Sequence, residues 1–194
     1  VELSVLPRWT TAIEKLGPYE RRELRDLSTE HDLPITSIAA HCNLLDPESS
    51  PAGIARIKAA LELAVELDPD NPPGICTFSG GDPVDWEDVR EDLLSTFADL
   101  AGQAANAGAV LTLEAHVGCA MDRPEQLLWV LQELNNPAAA LNFDYSHFQA
   151  LDYTIEKSLS TLIDYTVHTH IKGNRGLWPD NEFLTPGEPG DDYN

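Results

Sequence analysis

Six short apolar runs of strand character recur along this chain, and helical stretches separate most of them. The runs cover residues 1–6, 34–40, 74–78, 109–114, 138–144 and 166–171. Between them, residues 18–31 carry Leu24 and Leu27 on one side, and Ile54, Ile57, Leu61 and Val65 recur at helical spacing. Further helices are predicted over 86–107, 123–134 and 154–164. Ser50-Pro51 reads as an N-cap followed by Pro in the first turn, and Gly108 as a helix terminator. Residues 173–194, rich in Gly, Pro, Asp and Asn, read as loop. Near-continuous apolar strands alternating with helices predict an α/β fold with a parallel sheet covered by helices. Two architectures compete, an open doubly wound sheet and a closed (β/α)8 barrel. No Gly-rich phosphate-binding turn follows the first strand, which weakens the open sheet.

The ends of three runs favour the barrel. Val110-Leu-Thr-Leu-Glu114-Ala-His116, Ala140-Leu-Asn-Phe-Asp144-Tyr-Ser-His147 and Tyr165-Thr-Val-His168-Thr-His170-Ile-Lys172 each finish in metal-binding side chains. Burying such groups without partners is costly, so three in one chain point to a shared purpose. In barrels, site residues come from the ends of several different strands. Period-two geometry puts Glu114 with His116, Asn142 with Asp144, and His168 with His170 and Lys172. Turned inward, they gather carboxylates and imidazoles suited to Mn²⁺, Co²⁺, Zn²⁺ or Fe²⁺, with Mg²⁺ as a harder option. Each also has a plainer role: a strand-end charge for Glu114, a capped turn for Asp144 to His147, core histidines for His168 and His170. His41 and Asn43 end another strand, where pocket lining and turn chemistry both fit. A complete barrel needs eight strands and typically about 250 residues. Six strands in 194 residues predict one incomplete barrel domain over 1–194.

Composition narrows the partners. Twelve basic against thirty-three acidic residues give a formal charge of −21, which disfavours a phosphate backbone as ligand and so nucleic acid. No run approaches a membrane span. Cys42, Cys76 and Cys119 are too scattered for a disulfide framework, and Cys76 reads as a buried reduced thiol; a cytoplasmic location is expected.

The order of these stretches resembles the xylose isomerase-like barrel superfamily of sugar phosphate isomerases and epimerases, which also holds endonuclease IV-type repair enzymes. The likeness runs through Val1-Glu-Leu, Ala40-His-Cys-Asn-Leu-Leu45, Phe78-Ser-Gly-Gly81, Leu113-Glu-Ala-His116, Asn142-Phe-Asp-Tyr-Ser-His-Phe148 and His168-Thr-His-Ile-Lys172. It implies Glu114, Asp144 and His170 as metal ligands, with Glu114 also moving a proton. His147 would bind a substrate oxygen, and His116 and Lys172 would line a sugar pocket that His41 and His168 also border. The implied activity is metal-dependent isomerisation or epimerisation of a sugar or sugar phosphate through a metal-stabilised enediolate. Dehydration of a polyol ketone or dehydroshikimate is the alternative on the same scaffold, a non-catalytic remnant another; DNA repair fits the acidic charge poorly. The family's fourth ligand, a glutamate ending the eighth strand, has no counterpart. Pro186-Gly-Glu-Pro-Gly-Asp191 resembles the loop before it, so the chain reads as a fragment lacking the first and eighth strands. Open sheet edges would then invite self-association, with a homo-oligomer as the expected form.

Overall fold

The computed structural model describes residues 1–188. Its centre is a six-stranded parallel sheet in sequential order: β1 (Glu2–Ser4), β2 (Ser37–Ala39), β3 (Gly74–Thr77), β4 (Leu111–Leu113), β5 (Ala139–Asp144) and β6 (Thr166–His170). Helices α1 (Pro18–Glu30), α2 (Ser50–Leu67), α3 (Trp86–Asn106) and α4 (Pro124–Leu134) connect successive strands. A one-turn helix α5 (Tyr145–Gln149) and then α6 (Ile155–Leu162) lead from β5 to β6.

The local chemistry explains the boundaries. The Gln126 side-chain oxygen accepts from the N–H groups of Asp122 and Arg123, closing the start of α4 behind Pro124. Gly108 adopts φ +68° just past α3, where the left-handed region favours glycine. The α2 N-cap is Ser49, one residue before the expected Ser50, and its side chain makes no capping bond.

Alternation on β5 sets the layers. Leu141 and Phe143 join the core between sheet and helices, beside fully buried Ile57, Leu63, Phe97 and Leu127. Asn142 and Asp144 point the other way, into the concave face, where their polar atoms meet other polar side chains. That face is tightly curved. Neighbouring strands lie roughly 4.8 Å apart, so a flat sheet would hold β1 and β6 roughly 24 Å from each other. Glu2 Oε1 on β1 is nevertheless 3.0 Å from His170 Nε2 on β6. The sheet therefore curls into a half-barrel, an incomplete TIM-barrel fold.

One expectation fails. The stretch from residue 173 is not simply loop: β7 (Gly173–Arg175) and β8 (Glu182–Leu184) form an antiparallel hairpin. It is tied down by buried Leu184, by an Arg175–Glu182 ion pair and by Trp178 N–H donating to Ala150 O. Of the expected family loop 186–191, residues 189–191 lie outside the described residues.

Candidate metal centre

Glu114 follows β4 by one residue and is 1% exposed. A carboxylate so deeply buried needs several donors, and the strand ends around it supply them. Its Oε1 lies 3.2 Å from His116 Nε2 and 3.3 Å from His170 Nδ1. Its Oε2 lies 3.3 Å from His41 Nε2, and it accepts from Asn142 Nδ2 at 3.0 Å and from the Cys76 thiol at 3.4 Å. Burial alone would raise the Glu114 pKa, but the close imidazoles of His116, His170 and His41 outweigh it and hold the group well below the usual range.

Asp144 ends β5 and is 2% exposed. Its Oδ1 accepts from the Ser146 backbone N–H at 3.0 Å and from the Ser146 hydroxyl at 2.6 Å, capping α5. The capped turn expected of Asp144-Tyr-Ser-His147 is thus seen on one carboxylate oxygen, and the other is left for the expected ligand role. The second oxygen, Oδ2, makes no well-directed hydrogen bond. Its nearest cation is the Lys172 ammonium, at 3.0 Å but off the hydrogen-bonding direction.

His147 is buried, and its Nδ1 accepts from the Val117 N–H at 3.2 Å. The ring proton of the neutral imidazole therefore sits on Nε2, facing the carboxylates 3.8 Å away. Burial, reinforced by His116 and Lys172, pushes the His147 pKa down to about 2. Lys172 Nζ is 3.0 Å from this Nε2, so a donor faces a donor there.

His170 has a carboxylate at each nitrogen: Glu114 at Nδ1, and Glu2 at Nε2 at 3.0 and 3.1 Å. Burial opposes its charge, but the bonds to Glu114 and Glu2 raise its pKa to about 10. His168 stands apart from the Glu114 cluster. Its Nε2 lies 3.7 Å from Glu2, on the side of His170 away from Glu114. Aromatic rings wall the mouth: Phe78 stacks on His116, His116 on His147, and Phe183 of the hairpin meets His147 edge-on with Lys172 over its face.

The structure thus brings together Glu114, Asp144, His170, His41, His116, His147 and Lys172. Sequence reasoning passed over Glu2, Phe183 and the direct contacts of Cys76 and Asn142 with Glu114. Glu2 sits at the start of its strand, so a search of strand ends misses it. A divalent cation fits the donor set. One donor atom each from Glu114, Asp144 and His170 lie within 4.8 Å of one another, and Asp144 Oδ2 still has acceptor capacity.

Comparison with known proteins agrees with the fold. No curated protein matches the sequence. A xylose isomerase domain protein from Planctomyces limnophilus superposes with a TM-score of 0.72 at 18% identity, over 90% of this chain and 64% of that one. Escherichia coli YcjR, a 3-keto-D-glucoside 4-epimerase, gives 0.68 at 18% identity, over 79% and 64%. IolI, solved with a bound zinc atom, gives 0.73 at 18% identity, over 96% and 69%. The chain thus spans 64 to 69% of the length of these three proteins. The sequence profile of the xylose isomerase-like TIM barrel matches residues 1–194, and the chain belongs to that family.

Proposed function

We propose that this chain carries the metal and substrate site of a divalent-metal-dependent sugar isomerase or epimerase. The observation that carries the reading is the convergence of Glu114, Asp144 and His170 on the concave face, with Glu114 kept ionised among imidazoles. The 4-epimerase and the zinc-containing IolI among its structural relatives support it. Glu114, Asp144 and His170 would hold the cation, which when bound would polarise a carbonyl and steady negative charge on its oxygen.

The protein's own groups do the rest. Glu114 serves as a ligand and takes the carbon-bound proton beside the carbonyl, leaving an enediolate that is reprotonated to the epimer or isomer. The His147 Nε2–H and the Lys172 ammonium face the space beside Asp144 and would hold substrate oxygens. His116, His41 and Phe78 form one wall, and Phe183 the other. His168, which lies by Glu2, would border the sugar only at the far side of His170.

Proton transfer gives the test. The 194-residue chain is incubated in D2O with a panel of ketoses and their phosphates, loaded in turn with Mn²⁺, Co²⁺, Zn²⁺ and Mg²⁺. Deuterium should enter at carbon next to the carbonyl of one sugar class, and Glu114→Gln should abolish this while costing less in metal affinity. Loss of water from the substrate would favour a dehydratase. No exchange with any metal would defeat the enzymatic reading.

A further inference from the structure

We infer that Glu2 is a positioning residue for His170, holding the proton on Nε2 so that Nδ1, once it gives up its own proton, faces the cation that Glu114 and Asp144 would hold; this takes the metal-dependent reading above as given. An imidazole that ligates a metal can use only one nitrogen while the other keeps its proton, and a carboxylate on that second nitrogen fixes which is which. Glu2 is placed for that purpose. Both of its oxygens lie within 3.1 Å of His170 Nε2, while Nδ1 faces the Glu114 side at 3.3 Å.

A further contact locks the arrangement. Ser37, the register partner of Glu2 on β2, donates its hydroxyl to Glu2 Oε2 at 2.8 Å and so holds the carboxylate in place. The Glu2–His170 contact also joins the two edges of the six-stranded sheet, so ring orientation is coupled to the curl that brings β6 towards β1.

Glu2, His168 and His170 also have donor atoms within 4.8 Å of one another, which raises the question of a second cation. Such an ion would need the same imidazole stripped of both protons. A hydrogen bond from Nε2–H to Glu2 makes no such demand.

The test is isothermal titration of the EDTA-stripped chain with ZnCl2, for the natural sequence and for Glu2→Gln, with circular dichroism melting of both metal-free proteins. The expected result is one zinc per chain in each, with affinity roughly 10- to 100-fold weaker in Glu2→Gln. A spectroscopic readout needs no variant. In ¹⁵N spectra of the zinc-loaded natural chain, His170 should carry its proton on Nε2. A proton on Nδ1, or equal affinities in two folded proteins, would overturn the role of Glu2 while leaving the metal site standing. Two zinc ions per chain, one of them lost in Glu2→Gln, would overturn it in favour of a second ion. No zinc binding by the natural chain would overturn the metal-dependent reading itself.

Discussion

Lys172 should compete with a cation bound as proposed at Asp144, and removing it should tighten metal binding. Its ammonium lies 3.0 Å from Asp144 Oδ2, and the side chain is 32% exposed. At that separation, an effective dielectric constant of 20 gives a Coulomb energy of ~5 kcal/mol. Partial exposure and the entropy of holding a lysine chain reduce the net value to ~1–2 kcal/mol. The donor-to-donor approach to His147 Nε2 weakens the lysine's hold further. Lys172→Met keeps an apolar stem against Phe183 and deletes only the charge. Titration of Mn²⁺ and Zn²⁺ into the stripped protein at 0.15 M salt should then show affinity raised by roughly tenfold, the equivalent of 1.4 kcal/mol. An unchanged or weaker affinity in the folded variant would refute the reasoning, since it would mean that Lys172 leaves Asp144 at no cost or assists the cation.

Two further outcomes concern stability. Phe97 is fully buried on α3, so Phe97→Ala should cost about 3–5 kcal/mol in urea unfolding; a loss below ~1 kcal/mol would show that the core collapses around the gap. In the metal-free protein, the His170 pKa is raised from 6.5 to about 10, so folding gains from its protonation fully below pH 6.5 and loses that gain as pH rises through about 10. The urea midpoint should therefore fall between pH 7 and 10 more steeply in the natural chain than in His170→Asn, and parallel profiles would exclude the linkage.

Much of this was legible in the sequence, for identifiable reasons. The strand predicted over residues 138–144 is Ala139–Asp144, buried on both faces as its near-continuous apolar run implies. Glu114 stands out in the sequence as a charge ending an apolar run, and in the structure it lies one residue beyond β4 with His116 and His170 close by. The hairpin was not legible. Its strands are three residues each, too short for alternation to register, and a turn-forming stretch through Gly176, Pro179 and Asn181 separates them. Phe183 therefore came as a loop residue although it walls the site. His168 illustrates the limit of period-two reasoning. It shares a face with His170, as expected, but the sheet's curl gives it to Glu2 rather than to Glu114.

Glu2, Glu114 and Asp144 bring three carboxylates to one concave face, an arrangement that is unfavourable without cations. The protein supplies two of its own: His170, bonded to Glu114 and Glu2 together, and Lys172, set against Asp144. The two buried carboxylates of this face, Glu114 and Asp144, thus each have a positive partner in the metal-free chain. A divalent cation bound as proposed would therefore enter by exchange rather than by filling an empty charge deficit. The Lys172 ammonium would leave Asp144 and one proton would leave His170, while Glu2 would retain the other. The affinity of such a site depends on how weakly the internal cations are held as much as on the ligands themselves. Lys172 meets Asp144 off the hydrogen-bonding direction and approaches His147 Nε2 donor to donor, with the Phe183 ring beneath it, whereas His170 has bonds on both nitrogens. Release of the lysine is the easier half of the exchange, and the proton on His170 Nδ1 is the harder half.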